Sequence, residues 1–250
     1  MKIATFNVNS IRARQSNVEA WLAAAQPDIV CLQEIKCENE LFPPLPGWHA
    51  LVHGQKTYNG VAVLSRTPLE LVCTSLNSDD LQARYMEVKC SGFTLINIYA
   101  PNGNPVDSEK FPYKLDWLAR LTARAKELLA AETPFLITGD FNIIPAEQDC
   151  HDPKAWEGDA LYRPESRAAW RRLLNVGLYD AFRTLHPAAQ EYTFWDYQAG
   201  AWPRNNGIRI DHALLSPQLT DRLTSCNIDK APRGAEKASD HTPLITELKI

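Results

Sequence analysis

The sequence predicts an α/β (α+β) fold in which two β-sheets pack face to face with helices on the outside. Several short apolar segments are rich in Val, Ile, Leu, Phe and Thr and are bounded by Pro, Gly or Asn, which is typical of buried strands. Helical periodicity is found only at intervals, so a regular strand–helix alternation is not favoured. No Gly/Ser linker or strong repeat interrupts the 250 residues, and we expect residues 1–250 to form one domain.

The predicted elements follow from local patterns. The strands are "KIATFNV", "DIVCLQE", "GVAVLSR", "FTLINIYA", "PFLITGDFN", "IRIDHALLS" and "TPLITELKI". One helix, "SNVEAWLAAAQ", ends before Pro27, and a second, "YKLDWLARLTARAKELLAAE", places its leucines on one stripe. A third, "PESRAAWRRLLNVG", begins with Pro and ends at Gly177. Residues 143–165 and 183–207 are predicted to be long loops, which are usually functional in a compact domain.

Composition excludes several classes of protein. The net charge of −4 and the pI of about 5.9 argue against a protein that holds nucleic acid by bulk electrostatics. No apolar run approaches the ~20 residues of a membrane helix, and the N-terminus lacks the pattern of a signal peptide. The six cysteines form no CxxC pair, so a thiolate zinc site is not expected. We therefore expect a cytoplasmic, reduced protein that makes no membrane contact. A single domain with no obvious exposed apolar repeat also predicts a monomer.

Polar side chains stand where the predicted strands end. The first strand ends in Asn7 and Asn9, and the strand at "DIVCLQEIK" ends in Glu34. Further groups at the ends of later strands are Tyr99, Asn102, Asp140, Asn142, Asp211 and the adjacent pair Asp240 and His241. Each has an ordinary explanation alone, such as a turn or a helix start. Together, carboxylates, amides and one histidine at the strand ends of one domain indicate a catalytic site.

Hard oxygen ligands without His or Cys clusters suit Mg²⁺, with Mn²⁺ able to replace it. Glu34 and Asp240 are candidate carboxylate ligands, with Asn7 or Asn9 nearby. Such an ion most often handles phosphate. Asp140 is a candidate to take a proton from water, and His241, oriented by Asp211, to donate a hydrogen bond to a phosphoryl oxygen.

Taken in order, the motifs resemble one known family. "TFNVNSIRAR", "PDIVCLQEIKC", "GVAVLSR", "NIYAPNG", "GDFNI", "GIRIDHALLS" and "SDHTPL" are similar to those of the exonuclease III family of abasic-site endonucleases. That family lies within the deoxyribonuclease-I-like superfamily of metal-dependent phosphodiesterases. The motifs run from residue 3 to residue 244, so the resemblance covers the whole chain. It implies a four-layer sandwich of two mixed sheets flanked by helices.

The resemblance also implies a role for each matching residue. It implies Glu34 as a metal ligand, with Asp240, Asn7 and Asn9 close by. The resemblance further implies that Asp140 activates water and that Asn142 orients that water and the phosphate. It also implies that Asp211 pairs with His241, and that Tyr99 and Asn102 contact the scissile phosphate.

Contacts to DNA are implied less specifically. Residues in or beside motifs that touch backbone phosphates in the family are Arg12, Arg14, Lys36, Tyr58, Asn59, Arg84, Asn102 and Arg209. The alternative for these positions is a solvated charged face, or core packing for Tyr58. The segment 192–210 corresponds to the loop that receives the extrahelical sugar, and Phe194, Trp195 and Ile210 are predicted to form an apolar pocket for a baseless deoxyribose. The alternative for this pocket is a small hydrophobic core under a long loop.

The function implied is Mg²⁺-dependent cleavage of double-stranded DNA 5′ to abasic sites, together with 3′→5′ exonuclease or 3′-end trimming activity. The alternative is a mainly 3′→5′ exonuclease or 3′-phosphodiesterase with weak abasic incision. A relative acting on small phosphoesters is disfavoured because the sugar-pocket segment is present. A non-catalytic DNA-binding module would be expected to carry a basic net charge, which this chain lacks.

Overall fold

In the computed structural model, which describes residues 1–250, two six-stranded sheets lie face to face. In spatial order, the first sheet contains β11 (Leu223–Ile228), β12 (Leu244–Leu248), β1 (Lys2–Asn7), β2 (Ile29–Gln33), β4 (Val61–Ser65) and β3 (His49–His53). The second contains β5 (Glu70–Cys73), β6 (Tyr85–Cys90), β7 (Phe93–Tyr99), β8 (Phe135–Asp140), β10 (Asp211–Leu215) and β9 (Tyr179–Asp180).

Helices cover the outer faces of both sheets. The α-helices are α1 (Ile11–Ala25), α2 (Lys110–Ala130), α3 (Pro164–Asn175), α4 (Ala181–Leu185) and α5 (Pro217–Thr220). The first sheet packs on α1 through Trp21 and Leu22, and the second packs on α2 and α3 through Trp117 and Trp170. A further apolar core lies between the sheets. The predicted four-layer sandwich is therefore confirmed. No helix combines the length and the apolar character needed to cross a membrane.

Both sheets are mixed, and each has one parallel pair at its centre. In the first sheet β1 and β2 are parallel and are joined by α1, and in the second β7 and β8 are parallel and are joined by α2. The remaining pairs are antiparallel. A crossover helix between parallel neighbours returns the chain to the same edge of the sheet, so paired strands end side by side. This arrangement brings the polar strand ends into one region.

Several strands have no strong sequence signal. β3, β5 and β11 lie at or near sheet edges and expose part of their side chains, so their segments lack a continuous apolar run. β6 is buried but contains Glu87, whose carboxylate pairs with Arg124 of α2 at 2.7 Å. The helix α1 also begins earlier than the predicted segment, because the Ser10 side chain accepts a hydrogen bond from the Ala13 N–H and caps its first turn.

A buried amide joins the two sheets behind the strand ends. On β7, the Asn97 Nδ2 donates to the carbonyl oxygens of Leu32 (3.0 Å) and Ala62 (2.9 Å), which belong to the opposite sheet. Its Oδ1 accepts a 2.7 Å hydrogen bond from Gln33 Nε2, and Gln33 also donates to Thr5. Asn97 and Gln33 are fully buried. Because buried polar groups must find partners, this network favours one alignment of the sheets over shifted ones.

We predict that Asn97→Ala lowers the free energy of unfolding by about 1–3 kcal/mol, because it removes the buried donor to the Leu32 and Ala62 carbonyls and one acceptor of the Gln33 amide. Urea unfolding followed by circular dichroism measures the change. Asn227→Ala, at an exposed position of β11, is the matched control and is expected to stay within about 0.5 kcal/mol of the parent. Equal unfolding midpoints for the two variants would contradict a role for Asn97 in aligning the sheets.

Candidate active site

Strand register explains why the polar residues meet. Asn7 on β1 lies opposite Gln33 on β2, and Tyr99 on β7 lies opposite Asp140 on β8. Asp211, the first residue of β10, is also opposite Asp140. The two sheets are joined here by Asn7, whose Nδ2 donates to Glu34 Oε1 (2.9 Å) and to Asp140 Oδ2 (3.0 Å). One amide therefore holds two carboxylates from opposite sheets together.

Three of the strand-end residues adopt left-handed backbone conformations. Asn9, Glu34 and Asn142 have φ angles of 45°, 50° and 50°. Non-glycine residues adopt this region rarely, and for Glu it carries a cost that the surrounding structure must offset. Backbone hydrogen bonds supply the restraint: the Ser10 N–H donates to the Glu34 carbonyl at 2.7 Å, and the Asn142 N–H donates to Asp140 Oδ1 at 2.9 Å. The chain turns sharply at each strand end and directs these side chains into the site.

The predicted pair of His241 with Asp211 is present. His241 Nδ1 lies 2.9 Å from Asp211 Oδ2, and its Nε2 lies 3.8 Å from Asp140 Oδ2. All three side chains are almost completely buried. The Ser239 hydroxyl donates to the Asn7 carbonyl at 2.7 Å, which fixes the loop that carries His241. The imidazole is thus held between two carboxylates.

Burial and charge set the protonation of these groups. Burial raises the pKa of Asp140, and the neighbouring carboxylates of Asp211 and Glu34 act in the same direction, while His241 opposes them. Burial alone would lower the pKa of His241, but the Asp211 carboxylate beside Nδ1 outweighs it and raises the pKa to about 10. The pKa of Tyr99 is raised by burial and by Glu34. At neutral pH, His241 and Tyr99 are therefore hydrogen-bond donors, and Asp140 is a stronger base than an exposed aspartate.

The Glu34 carboxylate forms an ion pair with a lysine. Lys36 Nζ lies 2.8 Å from Glu34 Oε2 and donates to Asn9 Oδ1 at 2.6 Å. Burial acts to raise the pKa of Glu34, but Lys36 and Asn7 outweigh it and the pKa is lowered. Asn9 also donates to Asp240 Oδ1 at 3.1 Å. The ammonium of Lys36 thus joins two of the predicted metal ligands, and its side chain is 29 % exposed, so that a contact of Lys36 with DNA stays a prediction.

A cavity of about 320 Å³ opens in front of these groups. The predicted residues that line it are Glu34, Tyr99, Asn102, Asp140, Asn142, Phe194, Ile210, Asp240 and His241. Four further lining residues were not predicted: Asn104, Trp156, Asp159 and Leu161. Three of them belong to the 143–165 segment, where loop length is the only sequence signal. No local pattern indicates which side chains of that loop turn inward.

The apolar side of the cavity differs from the prediction in one residue. Phe194 and Ile210 line it, and the Phe194 ring contacts His241 edge-on with centroids 5.0 Å apart. Trp195 does not, because it is fully buried and packs against Tyr192 and Trp202 behind the loop. The prediction for Trp195 as a pocket residue is wrong: its neighbour Phe194 points forward, so the next side chain along this extended segment points back.

The residues predicted to contact DNA differ in their exposure and in their hydrogen-bond partners. Arg12 is exposed and Tyr58 is 68 % exposed, so both side chains are free at the surface. Arg14 is tied to the Asn9 carbonyl and to Tyr197 Oη. Arg84 donates to the Tyr99 carbonyl at 3.2 Å and lies over its ring, so it supports Tyr99 directly.

Asn59 is among the less exposed of the residues predicted to contact DNA. It is 8 % exposed, and its Nδ2 donates to Gln55 at 2.9 Å and to Gln82 at 3.3 Å. The bond to Gln82 joins the 55–60 loop to the 80–84 loop. A role for Asn59 in shaping this edge of the site has direct support in these contacts.

The prediction that Arg209 contacts DNA is wrong. Arg209 is fully buried, with Nε 2.6 Å from Asp149 Oδ1 and Nη2 2.9 Å from Asp180 Oδ2. Its Nη1 lies 2.9 Å from Nδ1 of buried His212, whose Nε2 reaches the Ile143 carbonyl. The motif "GIRID" places a charged residue beside the site, but the side chain points into the protein and ties the 143–165 loop to the second sheet.

The donor set fits a hard divalent cation. Ligand atoms of Glu34, Asp140 and His241 lie within 4.8 Å of one another, and Asp240 lines the same cavity. The closest group therefore contains Asp140 and His241 beside the predicted ligand Glu34, whereas the predicted ligand Asp240 lines the cavity outside that group. Oδ1 of buried Asp211 has no hydrogen-bond partner. Carboxylates crowded at this density repel each other, and a divalent cation would relieve that repulsion.

Comparison with known proteins agrees with this geometry. A model of the Endonuclease/Exonuclease/phosphatase family matches residues 4–241. The chain belongs to this family. It is 36 % identical to exodeoxyribonuclease III from Haemophilus influenzae, with 100 % of both chains covered. It is 31 % identical to the DNA repair nuclease APEX1 from Danio rerio, covering 100 % of this chain and 83 % of that protein.

Solved structures of family members are similar over their whole length. An AP endonuclease from Archaeoglobus fulgidus superimposes with a TM-score of 0.95 at 38 % identity. The 3′ phosphatase NExo from Neisseria, bound to a product DNA hairpin, gives 0.96 at 39 % identity. Both comparisons cover 100 % of each chain. The predicted fold and the predicted family are confirmed.

We predict that Arg209→Met destabilises the protein by about 3–5 kcal/mol, because it leaves the buried Asp180 carboxylate without its ion pair. Denaturant unfolding measures the loss. Arg12→Met is the control, since Arg12 is exposed, and we expect a change within about 0.5 kcal/mol. Normal stability combined with weakened DNA affinity in Arg209→Met would show that this arginine reaches DNA after all.

Proposed function

We propose that this protein is a DNA-repair phosphodiesterase that cleaves double-stranded DNA 5′ to abasic sites and trims 3′ ends, using Mg²⁺ or, in its place, Mn²⁺. The observation that carries the proposal is the buried Asp140–His241–Asp211 group beside Glu34 in one cavity. Relatives named as exodeoxyribonuclease III, AP endonuclease and DNA repair nuclease, similar over the full chain, support the substrate class.

The reaction is the attack of water on a backbone phosphorus, with the 3′ oxygen as leaving group. Asp140 takes the proton of the attacking water, a role that its raised pKa suits near neutral pH. His241 and Tyr99 donate hydrogen bonds to the phosphoryl oxygens, where negative charge increases in the transition state. A divalent cation held by Glu34 and Asp240 would supply charge neutralisation and Lewis acidity.

The other polar residues position these groups. Asp211 holds the His241 ring through Nδ1 and leaves Nε2 free to face the phosphate. The Asn142 amide is anchored by the Ala100 carbonyl at 2.9 Å, and its Oδ1 accepts from Asn102 Nδ2 at 3.2 Å. Glu34 would hold the metal ion, with Asn7 donating to its carboxylate and with Asn9 and Asp240, which are hydrogen-bonded to each other, close by.

The apolar side of the cavity determines the substrate. Phe194 and Ile210 contact the deoxyribose of an abasic nucleotide, which has no base to be accommodated.

The alternative function is that of a predominantly 3′→5′ exonuclease or 3′-phosphodiesterase. The observation in its favour is that Trp156 and Asp159 of the 143–165 loop also line the cavity and take up part of its wall.

We also infer that residues 1–250 form one catalytic domain. The shared core between the sheets and the family match over residues 4–241 support this reading. The expectations of a monomer and of a cytoplasmic location stay predictions.

The test uses two end-labelled duplexes, one with a central tetrahydrofuran abasic analogue and one intact with a recessed 3′ end. Each is incubated with Mg²⁺ or with EDTA. We expect a metal-dependent cut immediately 5′ to the analogue and slower shortening from the 3′ end. A 3′ ladder without an internal cut would support the exonuclease alternative, and no cleavage of either duplex would refute the proposal.

We predict that Asp140→Asn reduces the single-turnover cleavage rate by roughly 10²–10⁴-fold, because an amide cannot take the proton of water. Binding to the abasic duplex, measured by fluorescence anisotropy, is expected to change little. Asp116→Asn, on the exposed face of α2, is the matched control. Turnover close to that of the control would remove Asp140 from the role of base.

We predict that Glu34→Gln weakens metal binding at least tenfold, since a neutral amide replaces a carboxylate ligand. The measurement is the rise in melting temperature across a Mn²⁺ titration, which reports binding without activity. Glu40→Gln, at an exposed position, serves as the control. Superimposable titration curves for the two variants would exclude Glu34 from the ligand set.

A further inference from the structure

A fully buried lysine lies behind the phosphate-facing amides. Lys114 of α2 has 0 % exposure. Its Nζ donates to the carbonyl oxygens of Asn102 (3.0 Å), Asn142 (2.5 Å) and Ala160 (3.1 Å). An ammonium has three donors, and all three are used. Lys114 forms no ion pair, because no carboxylate oxygen lies within 4.0 Å of Nζ.

The three carbonyls belong to three separate parts of the cavity wall. Asn102 follows β7, Asn142 follows β8, and Ala160 belongs to the 143–165 loop. Three carbonyl oxygens directed at one buried point repel one another and lose their contacts with water. The ammonium is the group that makes this convergence stable. Without it, the three segments would have to separate or admit water.

The loop after β7 is shaped to close over the lysine. Gly103 has a φ of 90°, and a Cβ at this position would lie 2.7 Å from Lys114 Cδ and 3.1 Å from the Ala160 Cβ. Asn104 adds a second connection, since its Nδ2 donates to both Asp159 carboxylate oxygens at 3.1 Å and its Oδ1 accepts from the Ala160 N–H at 3.1 Å. The loops at 102–104 and 159–160 are therefore held together around the stem of Lys114.

Packing alone does not require a charged side chain at the position of Lys114. Burial of an ammonium without an ion pair costs several kcal/mol, whereas an apolar side chain of similar length would fill the same space without that cost. Burial accordingly lowers the pKa of Lys114 to about 7, although the carboxylates of Asp159 and Asp140 act against the decrease. Because burial of this charge is unfavourable, the presence of Lys114 is better explained by the geometry that its ammonium imposes on the three carbonyl oxygens.

We propose that Lys114 is a positioning residue that fixes the backbone of Asn102 and Asn142, and through it the amide groups that face the phosphate. The inference rests on the proposed phosphodiesterase function. It does not require Lys114 to touch DNA. The side chain acts from behind the wall, by setting the separation of the two loops from which the amides project.

The first test compares Lys114→Met with Lys126→Met, a substitution at an exposed lysine of the same helix. We expect Lys114→Met to lower the single-turnover rate on the abasic duplex by roughly 10- to 100-fold, since a displacement of about 1 Å has effects of this size. The Kd for the duplex is expected to stay within about threefold of the parent value. Lys126→Met is expected to match the parent in both. Should Lys114→Met fail to fold, Lys114→Gln replaces it, because its amide retains donors in the same space.

The second test separates positioning from a general effect on the fold. Lys114→Met is combined with Asn142→Ala, and the rates of the single and double variants form a cycle. If Lys114 acts through Asn142 and Asn102, the double variant is expected to be little slower than Asn142→Ala alone. Multiplied losses in the double variant, or an unchanged rate in folded Lys114→Met, would overturn the inference. An inactive parent protein would instead refute the proposed function, so the two failures are distinguishable.

Discussion

The bond on which the site depends is the one that Asn7 makes across the two sheets. Its amide donates to Glu34 of the first sheet and to Asp140 of the second. Neither carboxylate can be placed relative to the other by its own strand, because they belong to different sheets. The buried contacts of Asn97 with the opposite sheet support the same alignment from behind. A small relative movement of the sheets would separate the Glu34 carboxylate from that of Asp140.

The shifted pKa values of the site arise because several carboxylates lie close together with few cations among them. Burial and mutual repulsion raise the pKa of Asp140, whereas the pairing of His241 with Asp211 keeps the imidazole protonated. The same side-chain types at an exposed surface would have ordinary properties. The cost of collecting carboxylates at one end of the sandwich is offset by amides, by Lys36 and, when bound, by a divalent cation.

Two buried cations hold the loops that surround this centre. Arg209 joins Asp149 of the 143–165 loop to Asp180 of the second sheet. Lys114 ties the same loop, at Ala160, to the strand ends. These two cations add to the buried apolar cluster that Ile144, Leu161 and Tyr162 of the loop form with Ile208 and Ile210. These contacts fix the loop that forms part of the cavity wall.

The sequence by itself determined the layered fold and most of the lining of the site. Apolar strands that end at Asp140 and just before Glu34, and a last strand that is preceded by His241, carry this information locally, because strand boundaries are readable from composition and parallel strands end together. The tertiary structure alone decided which way a side chain near the site points. Arg209 and Trp195 turn inward, and Asp159 of the long loop turns toward the cavity. Those directions depend on ion pairs and packing between residues distant in the chain, which no local pattern records.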